Sequence, residues 1–117
     1  MSTEEAVKQW FAAWDTGSTD SLPIADDFKH TSPFGTIEGK KAYLDLVEKN
    51  QAKFLGYHFE IHDRLHGDDH ACVRYTAVQG DFGLDVSEWY YFRDGLIAEI
   101  IAYYHIGEVR ADRQLKK

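Results

Sequence analysis

Beyond Gly56 the apolar residues of this chain stop recurring every three to four positions and begin to alternate, and they keep alternating for most of the remaining length. A period of two sends successive side chains to opposite faces of a strand, so such a chain is committed to a sheet with one covered face. The alternating runs fall at about 57–66, 70–79, 84–93 and 96–106, separated by Gly67-Asp68-Asp69, Gly80-Asp81-Phe82-Gly83 and Asp94-Gly95. Connections this short join antiparallel neighbours and predict a four-stranded meander. The cover comes from the first half. Ser2 and Glu5 have capping-box spacing, and Val7, Trp10, Phe11 and Trp14 follow on one face, which predicts a helix over 3–15 stopped by Gly17. Asp20 is placed to cap a short second helix carrying Leu22, Ile24 and Ala25, with Pro23 in its first turn. Phe28 to Ser32 reads as a short strand ended by Pro33 and Gly35, and a third helix is predicted from about Lys40 to Phe54. The fold class is therefore α+β, with three N-terminal helices on one face of a curved, mostly antiparallel sheet.

At 117 residues and 44% hydrophobic, the chain is expected to form one domain spanning 1–117, with a core that needs no disulfide or structural metal. The single cysteine, Cys72, lies in an apolar strand-like run and reads as an inert core thiol. A net charge of −7, with 13 basic residues spread along the chain, argues against nucleic acid or an anionic membrane as partner. The acidic start, Met1-Ser2-Thr3-Glu4-Glu5, is unlike a signal peptide, and no apolar run reaches membrane-spanning length, so a cytoplasmic protein is expected. Aromatic residues make up 15%, more than a small core needs, which points to a ring-lined cavity or an apolar interface.

Glu88 is the residue that most suggests function. It shares a strand face with Leu84, Val86, Tyr90 and Phe92, while Asp85, Ser87, Trp89, Tyr91 and Arg93 face the other way. A carboxylate on an apolar face loses hydration, its pKa rises, and it becomes able to exchange protons near neutral pH. The plainer alternative is a buried acid paired with an arginine.

Several segments together resemble the nuclear transport factor 2-like superfamily, in its branch of ketosteroid isomerases and SnoaL-like polyketide cyclases. They are Trp10-Phe11-Ala12-Ala13-Trp14-Asp15-Thr16-Gly17, the stretch Ala25-Asp26-Asp27-Phe28-Lys29-His30-Thr31-Ser32-Pro33, Gly39 before the third helix, and Phe92-Arg93-Asp94-Gly95-Leu96-Ile97-Ala98-Glu99. The resemblance implies a cone-shaped fold with an internal pocket, and no cofactor. Ketosteroid isomerase works with an Asp base and an oxyanion hole of a Tyr and a protonated Asp. The positions that resemble these are Ser32, Trp10 and Glu88, so two of the three depart from the pattern and classical steroid isomerisation is not expected. The superfamily also holds binding proteins without catalysis, so the resemblance alone names no reaction.

The expected pocket face collects His30 and Ser32, two strand positions apart and so on the same side, with Glu88 and Tyr90. The resemblance adds Cys72, Arg74 and Thr76 from the strand before. His30 is proposed as base or acid, oriented by Glu88 or Ser32; Glu88, with Arg74 and Tyr104, would stabilise developing charge, and Trp10, Trp14, Phe34 and Tyr90 would shape the walls. A two-residue turn at Asp94-Gly95 would set Glu88 beside Ile101 with Tyr103 and His105 on its face. A three-residue loop would set it beside Ile100 with Ala102 and Tyr104 inward, and family members resemble this second arrangement. His58, Glu60 and His62 alternate and would share a face, but Tyr57, Phe59 and Ile61 look like the core face there, so no metal site is expected. The leading expectation is a cofactor-free isomerase, cyclase or lyase acting on a small apolar cyclic or ketone-like compound by proton transfer. The alternative is a small-ligand-binding domain without catalysis. Val73, Tyr75, Trp89, Tyr91, Ile101 and Tyr103 are expected on the outer sheet face and predict a homodimer there.

Overall fold

A computed structural model describes residues 2–105 and shows one six-stranded mixed sheet with three α-helices. The elements are α1 (Thr3–Thr16), a 3-10 turn (Thr19–Ser21), β1 (Ile24–Ser32), β2 (Gly35–Glu38), α2 (Lys40–Lys49), α3 (Gln51–Phe54), β3 (His58–His66), β4 (His70–Gln79), β5 (Phe82–Arg93) and β6 (Leu96–Tyr103). The sheet order is β2-β1-β6-β5-β4-β3. Every neighbouring pair is antiparallel except β1 and β6, which run parallel.

Local sequence explains each end of α1. Ser2 Oγ accepts the backbone N–H of Glu5 at 3.1 Å, and Gly17, at φ 74°, closes the last turn while Ser18 N–H donates to Ala13 O at 2.9 Å. Its buried stripe of Ala6, Val7, Trp10, Ala13 and Trp14 lies toward β3 and β4, and α2 buries Tyr43 and Val47 against β1 and β2. The core between them joins Trp10 and Trp14 to Phe28, Tyr90, Ile97 and Ile100. No described helix is long and apolar enough to cross a membrane.

Three expectations about elements change. The second helix is only the 3-10 turn, because Leu22, Pro23, Ile24 and Ala25 are buried in extended form and Pro23 O accepts the N–H of Ile97 at 2.8 Å. Strand β1 therefore begins at Ile24, and a further short strand, β2, folds back on it after Pro33-Phe34. The third helix is divided at Asn50, whose φ of −124° leaves helical geometry. The later strands lie within a few residues of their expected positions.

The turn between β5 and β6 combines features of both expected arrangements. Asp94 and Gly95 both have positive φ, 53° and 78°, and Arg93 pairs with Leu96, which is a two-residue turn. The register then shifts, with Phe92 opposite Ile97 but Tyr91 opposite Glu99, leaving Ala98 as an extra residue. That single bulge flips the parity of the rest of β6, so Ala102 and Tyr104 do face inward. Glu88 stands beside Ala102, not Ile100 or Ile101.

Candidate functional site

Between the helices and the inner face of the sheet is a cavity of about 200 Å³. Half of its lining residues are Phe, Tyr or Trp, so its interior is chiefly a set of ring faces. Few polar groups reach it. Glu88 comes from β5, His30 and Ser32 from β1, Tyr75 from β4, Tyr43 from α2 and Tyr104 from just beyond β6, with Lys53 from α3.

Glu88 is the centre of this arrangement. It is 4% exposed, yet its Oε2 accepts the hydroxyl of Tyr75 at 3.2 Å, its Oε1 accepts the hydroxyl of Tyr90, and the Trp10 side chain also hydrogen-bonds to it. Burial lifts its pKa to about 7, against the opposing pull of the donors Tyr90, Tyr75 and Trp10. Among the described residues no ion pair reaches it. Burial likewise pushes the hydroxyls of Tyr43, Tyr75 and Tyr90 well above the usual phenol range, and the nearby charge of Glu88 adds to this.

His30 stacks on Tyr43, ring centroids 5.3 Å apart and planes 27° from parallel, and Phe28 tilts against it at 6.3 Å. Burial alone draws its pKa down to about 4, so at neutral pH it is an uncharged imidazole. Burial is the one cause of that shift, and no hydrogen bond joins His30 to Glu88 among those described, so the orienting contact offered by Glu88 is not made. Tyr104 hydrogen-bonds with Ser32, and burial raises its pKa. Trp10, Trp14, Ser32, Phe34 and Tyr104 line the cavity.

Four residues expected at the pocket lie elsewhere. Arg74 is on the outer face, opposite Ser87, with its guanidinium Nη2 2.8 Å from Asp63 Oδ2. On β4 the inward residues are Ala71, Val73, Tyr75 and Ala77, the plain apolar alternation, which leaves Cys72, Arg74 and Thr76 outside. Cys72 is accordingly a half-buried thiol of the outer face, not a core group. Tyr90 is fully buried and does not line the cavity; it holds Glu88 from beneath. The same parity removes Val73 and Tyr75 from the outer patch, which retains Trp89, Tyr91, Ile101 and Tyr103. Tyr75 and Tyr43 are site residues that the sequence pattern does not single out. Strict alternation along β4 puts the first on the inner face, but the second comes from α2 and nothing in its own segment marks it.

On β3 a bulge between Ile61 and Asp63 interrupts the alternation of His58, Glu60 and His62, and His62 Nε2 lies 2.7 Å from Thr76 Oγ1. Among the described residues no group of three or more His, Cys, Asp or Glu is disposed to hold a metal ion.

Comparison with known proteins adds a family and a set of folds. The model of the SnoaL-like domain matches residues 7–100. A nuclear transport factor 2-like protein of unknown function from Cytophaga hutchinsonii superposes with a TM-score of 0.77 at 19% identity, over 90% of this chain and 91% of that one. An LEH-like epoxide hydrolase of M. tuberculosis gives 0.75 at 20% identity, covering 92% and 86%. A protein with a ketosteroid isomerase-like fold from Catenulispora acidiphila, in complex with trimethylamine, gives 0.75 at 21% identity, covering 96% and 94%. At these identities the likeness is one of fold. No curated protein matches the chain.

Proposed function

The chain belongs to the SnoaL-like domain family, and from that premise we propose that it is a small-molecule enzyme of the isomerase, cyclase or lyase type, moving a proton on a small apolar, ketone-like compound without a cofactor. One observation carries this reading: Glu88, a carboxyl group with a pKa of about 7, is buried in an aromatic cavity and forms no ion pair among the described residues. A proton-transfer group works best when its pKa lies near the working pH, and burial provides that here. Glu88 is the acid or base, Tyr75, Tyr90 and Trp10 hold its oxygens, and Trp14, Phe34 and the other rings exclude water. His30, neutral at pH 7, and the Ser32–Tyr104 pair are the groups left to receive a carbonyl or hydroxyl of the ligand. Arg74 has no part in it.

The test is a panel of cyclic ketones and hydroxy-enones, followed for turnover and for thermal shift. Glu88→Gln keeps the shape and most hydrogen bonds but removes the titrating group, so turnover should fall by roughly 10²-fold or more while binding persists. A second reading is a ligand-binding domain without chemistry, favoured by the three donors already engaging Glu88. Binding with no turnover across the panel, and affinity indifferent to Glu88→Gln, would select it. We further propose a homodimer joined through Trp89, Tyr91, Ile101 and Tyr103 on the outer sheet face, since alternation places them all there and Tyr103 is 59% exposed in the monomer.

A further inference from the structure

Among the described residues Glu88 has donors but no countercharge. Its two oxygens have about four acceptor positions, and Tyr75, Tyr90 and Trp10 engage three of them. Hydrogen bonds of this kind orient a carboxylate without cancelling its charge, and the groups that face it supply none. Tyr43, Tyr75, Tyr90 and Tyr104 stay protonated and neutral, His30 is neutral above about pH 5, and Lys53 lines the same cavity with an interaction of its own, while no ion pair among the described residues includes Glu88. The cavity that Glu88 lines is walled by Trp10, Trp14, Tyr43 and Tyr75, with Phe11 packed edge-on to Tyr75 at 5.2 Å. Rings around a lone buried acid attract a cation through their quadrupoles, most strongly where water is excluded.

We infer that the ligand of this cavity is a small organic cation, a tertiary or quaternary amine, whose charge rests against Glu88 and whose alkyl groups lie on the aromatic walls. An alkylated nitrogen suits the site better than a primary ammonium, which brings three N–H donors to an acid with about one acceptor position left. A neutral His30 offers no repulsion. The inference rests on reading the cavity as a ligand site and names the charge of what enters it. A bound cation would also keep Glu88 ionised, the form in which it can take a proton from a carbon next to the nitrogen or to a carbonyl.

The experiment titrates the full chain by calorimetry with benzyltrimethylammonium and with neopentylbenzene, its neutral carbon isostere, from pH 5 to 8.5. Because a quaternary amine does not titrate, any pH dependence belongs to the protein. Cation affinity should rise roughly tenfold per unit up to about pH 7 and then level, following ionisation of Glu88. The isostere should bind without this slope. Glu88→Gln should abolish the preference for the cation and leave the isostere unchanged, and the wild-type slope tests the idea independently should that variant fold poorly. If the isostere binds as well as the cation at pH 8, the inference falls and the ligand-site reading stands. If neither probe nor any ketone of the panel binds, both fall.

Discussion

Glu88 and His30 pull the stability of the fold in opposite directions as pH changes. The folded chain keeps the Glu88 proton to about pH 7, whereas an unfolded chain loses it near 4.5, so Glu88 makes stability fall as pH rises across that window. His30 behaves inversely. An unfolded chain protonates it near 6.5 but the folded one only near 4, so stability is full above 6.5 and is lost as pH falls toward 4. Each slope is about 1.4 kcal/mol per unit, and between 4.5 and 6.5 they nearly cancel. Single substitutions should therefore expose the hidden partner. Urea unfolding of Glu88→Gln should show stability climbing with pH from 4 to 6.5, relative to wild type, and His30→Asn should show it declining from 4.5 to 7. Parallel curves for all three proteins would mean that neither group is as dry as its surroundings indicate.

At the scale of elements, the connection from β5 to β6 decides which side chains reach the cavity. Gly95 sits at φ 78°, where an added Cβ is strained, and Gly95→Ala should cost about 1 kcal/mol and lower Tm by roughly 5 °C, read by calorimetry. The pH behaviour of Glu88 should be untouched, since its donors come from α1, β4 and β5. How far such details were legible in advance varied with their physical origin. The helix α1, with Ser2 and Gly17 at its ends, and the runs of β3 to β6 were readable because caps, turns and alternation are local. Glu88 on the inner face followed from parity alone. The bulge at Ala98 was not readable, as no residue there differs from ordinary strand composition, and the inward Tyr104 was reached by assuming a longer loop instead. The outer position of Arg74 was not legible for another reason: the resemblance assigns Cys72, Arg74 and Thr76 to the pocket against the apolar alternation of Val73, Tyr75 and Ala77. The start of β1 at Ile24 is not legible because Leu22 to Ala25, apolar at every position, carries no period to distinguish a buried strand from a helix.

For the molecule as a whole, the proposed dimer is the most direct prediction. Tyr91 and Tyr103 are 38% and 59% exposed on the outer face of adjacent central strands, beside the half-buried Trp89 and Ile101. Sedimentation equilibrium at micromolar concentration should report two chains, and Tyr103→Glu, which sets a charge in that patch, should return one while leaving the cavity intact. A wild-type monomer would refute the proposal. The parallel pairing of β1 with β6 has a different consequence, which concerns time. Ile24 lies beside Ile97 and His30 beside Ile100, so residues about seventy positions apart must meet before the sheet has a centre. While the chain is being synthesised, β1 and β2 have no partner but each other until the final strand emerges. The cavity is thus among the last features to form, and a ribosome-bound chain stopped at Gly95 should leave Phe28 and the two tryptophans of α1 open to chaperones.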